Sequence, residues 1–311
     1  MNNLAFIFPG QGSQSVGMGQ SILSNYDIAQ KIMQQANNIL NFNLKQLCLN
    51  GPSEKLNNTR NTQPAIFTVS YISYKILIKN GINPSIMAGH SLGEYSALAA
   101  AGAFSFEDGL KLVRQRGILM DEALPEGEGT MAAVIGLKKA EVEKICSQTE
   151  GILEIANLNT PHQIVISGEK NAIQNGIKKA EKRGAKKVVE LNVSGAFHSS
   201  LMKPIQNQFK NIINKVEINK PDIPVIANIS AKSISTKKDI KNELLNQLNH
   251  SVRWVETINN IENRDINTFI EVGPGRVLKG LLRRIDRSAT VYNTKDNKNL
   301  EKILNNAGDL A

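Results

Sequence analysis

The chain is short of several things, and each shortage removes a class of protein. Its 311 residues include two cysteines, Cys48 and Cys146, far apart in sequence. A disulfide framework and a CxxC redox or metal motif are therefore excluded, and each thiol is expected to act as a small buried hydrophobe. Aromatic residues are 5% of the chain. With no aromatic-rich strand motif and no long basic tail, a nucleic-acid partner is not expected despite the basic surplus. No apolar run approaches the ~18–20 residues of a membrane span. The chain opens on LAFIF at 4–8 and lacks a charged leader and cleavage site, so a secretory signal is not expected. A soluble protein of a reducing, cytoplasmic setting follows, whether bacterial cytosol or plastid stroma. The loop FPGQGSQ (8–14) lacks the Gly-Lys-Ser/Thr of a phosphate loop, and Ser15 stands where a dinucleotide fingerprint needs its third glycine. No cofactor and no metal are expected.

What is present reads as an α/β protein. Apolar residues make 41% and charged residues 21%, the ordinary globular range. A buried strand at 4–8 runs into the Gly-rich loop, and helical spacing follows at 17–40 and 63–79. A short apolar run, 85–88, precedes GHSLG (89–93), and 94–101 and 106–123 again look helical. After Pro125, Gly127 and Gly129 the pattern changes. Strand at 131–137, helix at 138–149, strands at 152–157 and 163–167, helix at 171–183 and strand at 186–193 make β-α-β-β-α-β, the ferredoxin-like order. Residues 128–194 are thus expected to form an inserted ferredoxin-like α+β subdomain. A larger α/β-hydrolase-like domain with a parallel sheet would comprise 1–127 and 195–311, with strands near 223–228 and 267–272 and a helix at 201–216.

The chemistry centres on Ser91. A serine between Gly89 and Gly93 is either a tight turn or a nucleophile elbow, and strand-before with helix-after favours the elbow. Its glycines would relieve crowding around strained backbone, and the following helix would aim N–H groups at an oxyanion. A serine nucleophile needs a base. Of the four histidines, His90 adjoins Ser91 and points elsewhere, and His162 reads as a turn residue. His198 follows a glycine at a helix entrance and is the favoured base, with His250 the alternative. The Gly-rich loop would bring a second oxyanion donor. Arg114 and Arg116 sit on the helix after the elbow helix; one turned inward would pair with a carboxylate.

FPGQGSQ, GHSLGEYSAL, the helix around Arg116, GAFHS (195–199) and EVGPG (271–275) occur together and in this order. In this the chain resembles, from end to end, the malonyl-CoA:acyl carrier protein transacylases of fatty acid synthesis. The resemblance implies that Ser91 is the nucleophile, His198 its base and Arg116 the holder of the malonyl carboxylate. It implies an oxyanion hole from the backbone N–H groups of Gln11 and Leu92. It also implies that a main-chain carbonyl of Gln247 orients His198, which demotes His250 and explains the lack of an acidic third member. Phe197 is expected to favour malonyl over methylmalonyl by steric exclusion. Serine hydrolase and non-enzymatic binding module are the rival readings. Net charge is +9, from 37 Lys plus Arg against 28 Asp plus Glu. Two basic clusters contribute: Lys178, Lys179, Lys182, Arg183, Lys186 and Lys187, and then Lys279, Arg283, Arg284 and Arg287. These faces are expected either to be simply solvated or to meet acyl carrier protein or the phosphates of CoA.

Overall fold

The computed structural model describes residues 3–125, 127–193 and 195–310. Among the described residues ten strands are formed: β1 (Leu4–Phe8), β2 (Ile86–Gly89), β3 (Gly129–Ile135), β4 (Leu153–Thr160), β5 (Gln163–Glu169), β6 (Lys187–Glu190), β7 (Val225–Ile226), β8 (Ser233–Ile234), β9 (Thr268–Glu271) and β10 (Thr290–Asn293). They make two sheets. The larger has the order β10-β9-β1-β2-β7-β8, with every pairing parallel except β7 with β8. This is the α/β class with a mostly parallel sheet, as the sequence led us to expect. The short strands β8 and β10 carried no separate signal in the sequence.

Apolar runs without alternation suit strands buried on both faces. In β1 the period of two divides the run between two cores. Leu4, Phe6 and Phe8 pack with helices on one face, while Ala5 and Ile7 pack on the other with Trp254 and Phe269. Parallel order brings the C-terminal ends of β1, β2 and β7 to one edge, the edge where ligands bind in such sheets. Phe8, Gly89 and Ile226 end those strands, so the Gly-rich loop, the elbow and Asn228 emerge side by side.

The second sheet is antiparallel, in the order β4-β5-β3-β6. The helices Lys139–Ser147 and Lys170–Lys182 supply its second layer, around a separate apolar cluster. Its other face turns Met131, Ala133, Ala156 and Val165 into the main core. The edge strand β4 is also bonded to the larger body: Leu158 N–H donates to Val252 O at 2.9 Å, and Val252 N–H to Ala156 O at 2.8 Å. Of the expected domain-boundary residues, Ser194 lies outside the described residues.

The helix expected at 201–216 is a correction. Ser200–Ile205 is a 3₁₀ segment containing Pro204, and the α-helix is Gln206–Ile213. A proline lacks the N–H an α-turn would use. The helix Thr59–Lys79 holds Pro64 in its interior and solves the same problem differently. Arg60 O, which Pro64 leaves without its helical donor, accepts from Arg114 Nη1 at 2.5 Å.

Glycines mark where backbone meets backbone. A Cβ on Gly93 would lie 2.0 Å from Phe8 O, whereas one on Gly280, exposed on the outer face of the helix Val277–Ile285, would meet nothing within 4 Å. Gly93→Ala should therefore lower stability by more than about 3 kcal/mol. Gly280→Ala should raise it by about 0.5–1 kcal/mol through helix propensity. Urea unfolding midpoints check both signs.

Candidate active site

Ser91 joins β2 to the helix Leu92–Ala100 with φ 50° and ψ −107°, a conformation uncommon for a residue with a Cβ. Its neighbours make room. A Cβ on Gly89 would stand 1.9 Å from the Gly93 carbonyl carbon, and one on Gly10 would stand 2.4 Å from His90 O. The Gly-rich loop and the elbow are thus in backbone contact, and each of these three glycines is needed for it. Asn228, at the end of β7, completes the hold. Its Oδ1 accepts the Ser91 N–H at 2.7 Å and its Nδ2 donates to Gly89 O at 2.6 Å.

Ser91 Oγ lies 2.7 Å from His198 Nε2, and His198 Nδ1 lies 2.8 Å from the main-chain oxygen of Gln247. A carbonyl only accepts, so Nδ1 carries the proton and Nε2 is left to accept from the serine hydroxyl. His198 is itself held at φ 59°, with its N–H donating to Leu248 O at 3.1 Å. Burial, and then the nearby Arg116 charge, push its pKa down to about 3. The imidazole is therefore neutral across the physiological range, the state a base requires.

Arg116 is 1% exposed. Its Nη2 donates to Gln247 Oε1 at 2.8 Å and to Ser91 Oγ at 3.2 Å. Its guanidinium lies 5.1 Å over the Tyr95 ring, and its Nε finds no acceptor among the described residues. Arg114 goes the other way, to Arg60 O, Asn61 and the face of Phe42. Two residues on a helix are about 200° apart, so only one of these arginines can face the serine. Gln11, Leu92 and Phe197 line the same cavity of about 270 Å³ as Ser91, Arg116 and His198. Leu92 opens its helix, so its N–H has no acceptor within the helix.

The seven residues singled out from the sequence are thus brought to one place. His90 lines the same cavity without bonding the serine hydroxyl, and His162 and His250 do not line it. His162 and His250 are exposed, and His250 Nδ1 lies 2.8 Å from Asn246 O in its own loop. His90 faces away from the serine, with Nε2 2.7 Å from Asn159 Oδ1 of β4 and its ring against Trp254. Sequence reasoning missed Asn228 and Glu94. Glu94 was visible inside GHSLGEY without an assigned task, whereas a lone Asn228 carries no motif. Lys182, Arg183, Lys187, Arg283, Arg284 and Arg287 are all exposed. Arg284 donates to Gln163 Oε1 of β5 at 2.8 Å. Among the described residues no cluster could hold a metal ion, and no helix is long and apolar enough to cross a membrane.

The acyl transferase domain model matches residues 5–306, so the chain is an acyltransferase of the α/β class. It is 42% identical over 304 residues to the malonyl CoA-acyl carrier protein transacylase of Bacillus subtilis strain 168, covering 97% of this chain and 96% of that protein. Its structure is similar to that of the malonyl CoA-acyl carrier protein transacylase of Coxiella burnetii, with a TM-score of 0.95, 40% identity, and 97% and 96% of the two chains covered. It is equally similar to a malonyl-transacylase solved in complex with its type II PKS acyl-carrier protein, with a TM-score of 0.95, 37% identity, and 97% and 99% covered. The chain belongs to the malonyl CoA-acyl carrier protein transacylase family.

The depressed pKa of His198 has two measurable consequences. Fluorophosphonate labelling of Ser91 should keep its rate from pH 8 down to about pH 5; a fall centred near 6.5 would show an ordinary histidine. Stability should move as well. Between about 6.5 and about 3 the unfolded chain binds a proton at this residue that the folded chain does not. Its contribution is therefore complete above that window and is lost as the pH falls through it. In a His198→Gln protein that part of the acid-side loss, read by urea midpoints, should disappear.

Proposed function

We propose that the chain moves a malonyl group from malonyl-CoA to the phosphopantetheine thiol of acyl carrier protein through an ester on Ser91, supplying the extender unit of fatty acid biosynthesis. The observation that carries this reading is the convergence on one oxygen: Ser91 Oγ has the neutral His198 Nε2 on one side and the buried Arg116 Nη2 on the other.

The order of events follows from that geometry. His198 takes the Ser91 proton as Oγ attacks the thioester carbon. The N–H groups of Gln11 and Leu92 receive the oxyanion, and the helix that begins at Leu92 adds its dipole. The C–S bond then breaks and His198 returns its proton to the departing CoA sulfur. In the second half His198 takes the proton of the carrier thiol, the sulfur attacks the ester carbonyl, and Ser91 recovers its hydroxyl. Arg116 pairs with the malonyl carboxylate throughout, and the Phe197 ring occupies the space an extra methyl would need. No cofactor is required; the phosphopantetheine arrives with the carrier protein.

The larger body of the chain is α/β-hydrolase-like (1–127 and 195–311), and its smaller one (128–194) is ferredoxin-like; the strand order β4-β5-β3-β6 with two helices on one face supports the second description. The exposed residues Lys182, Arg183 and Lys187, and Arg283, Arg284 and Arg287, supply positive faces for the acidic carrier protein or the phosphates of CoA. The enzyme works in the cytoplasm.

Intact-mass measurement tests the scheme. Malonyl-CoA should add one malonyl group to the protein and acyl carrier protein should remove it, whereas Ser91→Ala should gain nothing. A Ser91→Ala protein that still forms the ester would sink the mechanism, and rapid release of free malonate without carrier protein would mark a hydrolase. Methylmalonyl-CoA should label more slowly, by about 10- to 200-fold for one methyl. Arg116→Ala should lose malonyl transfer by about 100-fold or more while acetyl transfer is spared or improved; equal losses would make Arg116 structural. Reversing the charges of Arg283, Arg284 and Arg287 together should raise KM for the carrier protein several-fold and flatten its dependence on salt. An unchanged KM after reversal at this face, and likewise at Lys182, Arg183 and Lys187, would exclude both faces.

A further inference from the structure

Glu94 lies in the first turn of the helix after Ser91 and is fully buried, at 0% exposure. Its two carboxyl oxygens serve different halves of the site. Oε1 accepts the N–H of Asn228 at 3.2 Å. The Asn228 side chain in turn holds the elbow, accepting from Ser91 N–H and donating to Gly89 O. Oε2 accepts from Gln247 Nε2. That amide also donates to Ser91 O at 2.9 Å and accepts from Arg116 at its Oε1, while the main-chain oxygen of the same residue holds His198 Nδ1.

The donor and acceptor inventory fixes the direction of this network. Arginine has donors only, so Gln247 Oε1 must face Arg116 and Nε2 must find acceptors on its other side. Glu94 Oε2 is one and Ser91 O is the other. Removing the Glu94 acceptor leaves a buried amide N–H short of a partner and frees the amide to turn, and with it the segment that presents the carbonyl to His198. Glu243 is near enough to Glu94 for the two carboxyls to interact, and it accepts the Ile229 N–H at 2.8 Å. Burial raises both carboxyls above the ordinary range, and at Glu94 the nearby Glu243 adds to the rise.

We propose that Glu94, backed by Glu243, is a positioning residue: one buried carboxyl group that ties the loop carrying Ser91 to the residue that orients His198. It touches neither substrate nor the reacting atoms and acts through Asn228 and Gln247. The proposal rests on the reading of Ser91 and His198 as nucleophile and base.

Glu94→Gln tests it. The variant has nearly the same volume and keeps one acceptor oxygen, so either Asn228 N–H or Gln247 Nε2 must face an NH₂ group. Serine–histidine geometry is then disturbed while the core stays filled. We expect kcat for malonyl transfer and the rate of fluorophosphonate labelling at Ser91 to fall together by about 10- to 100-fold. KM for malonyl-CoA should change less than about twofold, with the melting temperature close to wild type. A wild-type kcat and labelling rate, or a loss that tracks the folded fraction, would overturn the proposal. Should Glu94→Gln not fold, Glu94→Asp retains the carboxyl but withdraws it by one methylene, with the same expectation and the same overturning results. If neither variant folds, Glu94 is a residue of stability and the proposal falls. The wild-type arm separates the two ideas: absence of label at Ser91 there defeats the reading of the site itself, whereas wild-type and Glu94→Gln proteins that label equally defeat the positioning role alone.

Discussion

Everything at this site depends on Ser91 being held where the chain reverses from strand to helix at φ 50°. A side chain in that conformation is strained, and strain persists only where the surroundings over-determine it. Here the surroundings are backbone. Gly93 lies against Phe8 O, Gly89 against the Gly93 carbonyl, and Gly10 against His90 O, all too close for a Cβ. Three glycines from two distant stretches are thus one packing unit. The contact raises the hydroxyl above the sheet edge and also draws the Gln11 loop beside it, so the elbow and the second proposed oxyanion donor are consequences of one close approach.

The electrostatics follow from what stands behind the histidine. A carboxylate there would hold His198 by charge and would draw its pKa upward. The Gln247 carbonyl holds the same Nδ1–H at 2.8 Å without a full charge, and burial beside Arg116 keeps the ring neutral. Among the described residues Arg116 has hydrogen bonds to Gln247 and Ser91 but no salt bridge. A buried guanidinium with donors to spare attracts an anion strongly, and the cavity beside it is where one can arrive. A neutral tether on the base and a buried cation that has no salt bridge among the described residues belong to the same arrangement.

The β-α-β-β-α-β order was legible because its elements alternate or repeat at their own periods, although their ends fall up to three residues from those expected. The helix expected at 201–216 was not, since apolar spacing says nothing about the N–H that Pro204 lacks. Ser91 was legible because its glycines have no substitute. The choice between Arg114 and Arg116 was legible only through family resemblance, because both lie on one helix and composition treats them alike. Helix rotation separates them: Arg116 faces the serine, while Arg114 reaches the carbonyl of Arg60 that Pro64, fifty residues earlier in the chain, leaves without its helical donor. Asn228 and Glu94 were beyond the sequence for a related reason: their value lies in hydrogen bonds to main chain that no side-chain pattern records.

The stretch NQLNHSVRW shows that limit most clearly. Its conspicuous residue, His250, is exposed and bonds within its own loop. Its quieter neighbours hold much of the molecule together. Gln247 O orients His198, Leu248 O takes the His198 N–H, Val252 pairs with the edge strand β4, and Trp254 packs against His90. Two of these four contacts use carbonyl oxygens and a third uses the Val252 backbone, groups every residue carries. The smaller sheet is consequently fastened to the segment that sets the direction of the base. A displacement of that sheet is therefore felt at His198 through five residues of chain as well as across the cavity wall, so the acyl pocket and the proton-transfer geometry cannot vary independently.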